Sequence, residues 1–386
     1  MTGSDELELS LVRGDALLRA QRAIGLVPAD GLGVGRRALV LALLSWAPIA
    51  VWALLVRRAF PGSVDEPLLS HFGIHVRCLV AIPLLVIAEA VSHGVTTRLI
   101  PQFLRAGLVT DPERLRETLR GVARLRDRTL PWVLLLGLAL GVLAVSPSPA
   151  ANHELAWAGE AAGGFGFGAF WFSWVTRPVF TVLLLAWLWR LGLAFVLCSR
   201  LARLDLALVP THPDRAGGLG FLESLPFAFS PVVLALSAVL ASRWAHDVAY
   251  HDVHVAALRL PMIAFGVIVL LLFLAPLLPW QRPLAAAKRR AELEYGALVA
   301  EHGRLVRRRW IERAPVGDEA ILSAPEIGPV ADTFAIFDAA RKMRTLPIGR
   351  RSLIAILLPA AIPLLGVLVI EIPVKDLLLG LLKTLT

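Results

Sequence analysis

Seven stretches of the chain are apolar almost without interruption, and polar gaps rich in arginine separate them. They fall at 38–56, 73–91, 130–146, 176–198, 225–242, 258–280 and 352–372. A helix crossing the hydrocarbon core of a bilayer needs about 20 mostly apolar residues. Only 130–146, bounded by Pro131 and Pro147, falls clearly short of that. The pattern predicts an all-α, polytopic integral membrane protein with about seven transmembrane helices.

The gaps carry a second pattern. The gap 94–129 holds Arg98, Arg105, Arg114, Arg116, Arg120, Arg124, Arg126 and Arg128. Arg200, Arg203 and Arg215 follow the fourth stretch, and 281–351 is strongly basic. The intervening gap 147–175 has no Lys or Arg, and 243–257 has only Arg243 among His and Asp. Basic loops stay on the cytoplasmic side, so the N-terminus is predicted inside and, after seven spans, the C-terminus outside. The first gap, with Arg57 and Arg58, fits this alternation least. Pro359 and Pro363 would also permit the last stretch to fold back as a re-entrant hairpin.

The polar segments have helical periods of their own. In 113–128, Leu115, Leu119, Val122 and Leu125 share a face among arginines, an amphipathic helix leading into the third span. The segment 284–313 reads as a helix continuing the sixth span, and a second helix is predicted at 330–344 after Pro315, Pro325 and Pro329. The chain therefore divides into a cytoplasmic N-terminal amphipathic segment (1–37), a six-span region (38–280), a cytoplasmic helical region (281–351) and a last span with an interfacial tail (352–386). The leucines of 6–26 suit a helix lying on the membrane or packed on the cytoplasmic loops. The run 159–172, rich in Gly, Phe and Trp, predicts an interfacial loop, with a re-entrant segment as the alternative.

Composition supports this class. Hydrophobic residues make up 57% of the chain, against about 45–50% in soluble domains. The net charge of +9 would suggest nucleic acid in a soluble protein; here its placement points to the lipid bilayer, and no nucleic-acid partner is expected. The N-terminus lacks the apolar core of a signal peptide. Abundant Arg, Ala and Leu suggest a GC-rich bacterial genome, hence the bacterial inner (cytoplasmic) membrane. Cys78 and Cys198 fall near opposite ends of their spans, so no disulfide is expected.

Three constellations carry candidate chemistry. The first is a set of ionisable residues within spans, which are costly in a membrane and mark functional sites by default: Arg77, Glu89 and His93 in the second span, and Arg190 in the fourth. Counting at about 1.5 Å per residue puts Glu89 and Arg190 at one depth, which predicts an ion pair. It would be a bond between helices, or a gate or proton-coupled site.

The second is the turn Thr211 to Phe221, with His212, Asp214, Arg215, Gly217 and Gly218. Its GGLG is too short for a dinucleotide fingerprint, so a rigid turn docking on the cytoplasmic helices competes with a ligand-binding turn. The third is Asp247, His251 and His254. On a helix these share a face at i, i+4 and i+7, and imidazole with carboxylate suits a transition metal; a solvated surface cluster is the alternative. No nucleophile elbow, HExxH or paired carboxylates appear, so neither an enzyme nor a cofactor is predicted.

The segment LDLALVPTHPDRAGGLGFL at 204–222 resembles one recurring in bacterial multi-pass membrane proteins. So do RCLVAIPLLVIAE at 77–89, APEIGPVADTFAIFDAARKMRTLP from Ala324, and EIPVKDLLLGLLK. This likeness implies architecture and no activity. The predicted topology alone resembles that of the seven-helix insect chemoreceptor channels, which implies a homo-oligomer with the last span at a central pore. These observations lead to a channel or transporter for an ion or small solute, with a membrane sensor or assembly scaffold acting through its cytoplasmic helices as the alternative. The two differ in whether Glu89 and Arg190 line a wet cavity or a dry helix seam.

Overall fold

Proline shapes the long helices of this protein, because each one inside a helix removes a backbone N–H and crowds the carbonyl four residues earlier. The computed structural model describes residues 9–28, 31–60, 62, 67–145, 157–158, 166–251, 253–315 and 328–371. Ten helices carry the fold among these residues. They are α1 (Ala16–Ala23), α2 (Val34–Leu55), α3 (Phe72–Arg105), α4 (Pro112–Asp127), α5 (Leu130–Val145), α6 (Phe167–Leu201), α7 (Gly220–Tyr250), α8 (Val255–Ile311), α9 (Gly328–Arg341) and α10 (Arg350–Glu371).

Six of them, α2, α3, α6, α7, α8 and α10, are long and apolar enough to cross a membrane. The chain is thus an all-helical, multi-pass membrane protein. The third expected span is α5, apolar throughout but only 16 residues long where its description ends at Val145. It packs on α6.

The helices answer their prolines in two ways. Before Pro83 the chain forms a π turn over Val76–Ala81, and before Pro178 another over Phe172–Thr176; the wider turn makes room where the ring would meet the preceding carbonyl. At Pro48 and Pro359 a neighbouring helix takes over the freed carbonyl. Pro48 leaves the Leu44 carbonyl without its helical donor, and the Trp171 indole donates to it at 2.9 Å. Pro359 does the same to Ala355, whose carbonyl accepts the Ser230 hydroxyl at 2.6 Å. Ser237 donates to Ala360 beside it at 2.5 Å. In a membrane such partners are what make interior proline tolerable. They also explain why α10 runs as one helix and not as a hairpin: α7 and α10 form the most extensive helix pair in the structure.

The main core lies where α3, α6, α7 and the first half of α8 meet, around Leu85, Trp187, Phe229, Phe273 and Trp280. The buried face of α4 (Leu115, Leu119 and Val122) joins it. So does the N-terminal segment, through Leu9 and Leu11. This corrects the expectation of a long amphipathic helix over 6–26. Asp15 caps the helix at its start and Gly14 stands at φ +94°, so only eight residues are helical and the preceding ones run as buried, irregular chain. Residues 6–8 of that expected helix, the run 159–165 and the tail 375–386 lie outside the described residues.

Helix α8 spans 57 residues, about 85 Å at helical rise, against roughly 30 Å of hydrocarbon. Its second half therefore projects from the bundle and packs against α9, with His302 Nδ1 3.0 Å from the Thr333 hydroxyl.

Candidate functional site

Glu89 and Arg190 meet inside the bundle. Arg190 Nη2 donates to Glu89 Oε1 at 2.9 Å, with both side chains at 0% exposure. Two residues that sequence reasoning passed over complete the site. The other oxygen, Glu89 Oε2, accepts Nη1 of Arg37 at the start of α2. Arg190 also grips Asp15 from the N-terminal segment, with Nη2 2.6 Å and Nε 3.1 Å from Oδ2. Asp15 and Arg37 are also fully buried. Two carboxylates and two guanidinium groups balance to zero net charge in a region without solvent contact.

Each member is held by its own element. Asp15 divides its carboxylate: Oδ1 caps α1 by accepting the Leu18 N–H at 2.7 Å, and Oδ2 faces Arg190. Arg190 has its guanidinium carbon 4.9 Å from the Trp187 ring centroid, one turn back on α6, which suits a cation over an aromatic face. Trp187 in turn donates its indole N–H to the Leu85 carbonyl at 2.8 Å, one turn before Glu89 on α3. Arg37 donates to the Leu32 carbonyl at 3.3 Å as well. Yet its Nε and Nη2, and Nη1 of Arg190, find no acceptor among the described residues. Pairs so fully desolvated gain little net stability over apolar packing, and removing one partner strands a buried charge.

The other two expected members are Arg77 and His93, both on α3. Arg77 sits at the opposite end of α3 with its guanidinium carbon 5.5 Å and 5.8 Å from the Phe172 and Phe180 rings. His93, half-buried one turn beyond Glu89, has its carbonyl bonded by the hydroxyls of Thr96 and Thr97. A signal for Arg37 existed: it lies at the start of the first span, where it reads as an ordinary positive flank. For Asp15 the only signal was its position as a helix cap.

The turn at 211–220 forms around Asp214. Its Oδ1 accepts the N–H groups of Ala216 (2.8 Å) and Gly218 (3.2 Å), and its Oδ2 that of Gly220 (2.7 Å). Burial alone would raise this carboxyl, but the three backbone donors and His212 outweigh it and hold it below the usual carboxylate value. Arg215, Gly217 and Gly218 take left-handed backbone at φ +55°, +65° and +96°.

This turn grips the chain leading into α10. Arg344 donates to the Asp214 carbonyl at 2.9 Å and to the Glu223 carboxylate at 2.6 Å, and its own N–H bonds the Arg215 carbonyl at 2.7 Å. A Cβ at Gly349 would overlap the Glu223 carboxylate. The arrangement is a clasp between two distant segments.

At the other end, α10's partner α7 stops at Tyr250, where the His251 N–H caps the Asp247 carbonyl at 3.0 Å. His254 belongs to the start of α8, so the one-helix register expected for Asp247, His251 and His254 is not formed. Among the described residues no three His, Cys, Asp or Glu group to hold a metal; the neighbouring Asp252 lies outside them. His246 instead stacks on His71, ring centroids 5.1 Å apart. Both cysteines are buried and free.

No family model, curated protein or solved structure matches this chain.

Proposed function

We propose that this multi-pass membrane protein is a sensor or assembly scaffold of the bacterial inner membrane, acting through cytoplasmic helices. In this reading the chain crosses the bilayer seven times, with α5 part of the third span, the N-terminus inside and the C-terminus outside. The observation that carries it is the Asp15–Arg190 contact in a fully buried seam. A channel or transporter site would place such charges beside a hydrated path; here Asp15, Arg37, Glu89 and Arg190 all stand at 0% exposure. The seam joins the N-terminal segment to α2, α3 and α6, so a change in one is felt by all four.

The output would be the projecting hairpin of α8 and α9. It exposes Trp310, Ile311 and Phe334 at 69%, 74% and 58%, well beyond the hydrophobic part of α8, which suits contact with another protein or a second copy of this chain. The experiment is hydrogen exchange on the full chain in lipid nanodiscs, wild type against Asp15→Asn. Faster exchange both in 9–28 and in the α8–α9 hairpin supports the reading; a change confined to 9–28 contradicts it.

A channel or transporter for an ion or small solute is the second reading, favoured by the cost of burying four charges. That cost suits a latch that opens and hydrates. Flux of ions or small solutes through reconstituted protein, raised by Asp15→Asn, would establish it in place of the first.

A further inference from the structure

Four arginines at one end of the bundle have no partner among the described residues. Arg120 and Arg124 on α4, with Arg200 and Arg203 at the end of α6, line one open groove of about 990 Å³. None of their side chains makes an ion pair or hydrogen bond among the described residues. Their neighbours on α4 do: Arg114 pairs with Asp111, Arg116 with Glu113, and Arg126 with Asp127. Of the two acids in the groove, Asp127 is thus taken by Arg126, leaving Glu117 against four guanidinium groups. Gly121 sits between them; a Cβ there would come within 2.6 Å of Arg200 Nη1, so glycine lets the two sets of arginines converge.

Depth identifies the ligand. Arg200 and Arg203 flank Leu201, the last residue of a helix long enough to span the membrane. The groove therefore opens at the level of lipid headgroups. Farther back along α6, an apolar crevice of about 200 Å³ is lined by Leu17, Trp132, Leu135, Leu136, Val182 and Leu185. Arginine forks match phosphate oxygens, and basic pockets between membrane helices hold anionic headgroups.

We propose that this groove binds the phosphate of an anionic membrane lipid, with an acyl chain entering the crevice beside α5 and α6. The arginine groove shares no residue with the buried charge cluster, and the crevice borders α1, which Asp15 caps. The test is native mass spectrometry of the full chain from nanodiscs containing equal phosphatidylglycerol and phosphatidylcholine. Wild type should retain phosphatidylglycerol preferentially. The variant R120Q/R200Q should weaken that retention about tenfold or more, while R308Q/R309Q, which removes equal charge from the end of α8, should not.

Both variants should melt as wild type does, since none of these side chains is buried. Equal retention of the two lipids by wild type, or equal loss in both variants, overturns the proposal. So does release of the lipid by millimolar inorganic phosphate, which would make this a site for free phosphate.

Discussion

Arg190 and Asp15 are 175 positions apart in sequence and 2.6 Å apart in space, both beyond the reach of solvent. That contact turns a short N-terminal helix into part of the membrane bundle. It also fixes what replacing either residue would do.

Asp15→Asn keeps a good helix cap and removes one negative charge, leaving a buried excess positive charge. Breaking a buried pair this way costs about 3–5 kcal/mol, so the variant should melt at a markedly lower temperature in detergent. Asp15→Ala should cost about 1 kcal/mol more, through the lost cap. Equal melting of wild type and Asp15→Asn would mean that the contact does not hold the segment.

Glu89 serves both arginines, so Glu89→Gln leaves two guanidinium groups facing one carboxylate. The double variant Arg37→Gln/Glu89→Gln restores charge balance with Asp15 and Arg190. It should be more stable than the sum of the two single changes implies, by about 0.5–3 kcal/mol of coupling. Additive melting data would show that Arg37 and Glu89 act independently.

Ser230 and Pro359 form a compensating pair. Ser230→Ala strands the Ala355 carbonyl and should cost about 1–2 kcal/mol, as membrane hydrogen bonds do. Pro359→Ala restores a helical N–H for that carbonyl, so Ser230→Ala should cost much less in its presence. An undiminished cost would show that the hydroxyl serves another role.

The Asp214 turn predicts an acid limit. Its carboxyl is depressed in the folded protein, so its contribution is complete above the ordinary carboxylate value and is lost as pH falls through the folded value. Amide exchange of Gly218 and Gly220 should stay slow from neutral pH down through the ordinary carboxylate range, after correction for the intrinsic rate, and accelerate only below it. Asp214→Asn, which cannot accept both sets of donors, should exchange faster at every pH. A wild-type turn that loosens near neutral pH would contradict this.

How far the sequence carried differs by element. Apolar runs located the long helices, because a span must be apolar over its whole length. Counting from their ends brought Glu89 and Arg190 to one depth. It did not bring in Asp15 or Arg37, because a neutral pair calls for no further partner. The path of residues 9–15 into the core depends on tertiary packing that no local pattern records. The clasp on Arg344 was similarly hidden: Asp214 and its glycines announced a turn, but the segment it grips lies 130 residues away. His254 failed for a local reason, since a helix end fell inside the pattern.

The central claim is that the buried charges lock the N-terminal segment to the membrane bundle. It is tested most directly by pulsed electron paramagnetic resonance in proteoliposomes. Spin labels would replace exposed Arg22 on α1 and exposed Arg105 at the end of α3, with Cys78 and Cys198 changed to Ala. A narrow distance distribution in this background that broadens with Asp15→Asn is the predicted result. A distribution that Asp15→Asn leaves unchanged would contradict the account.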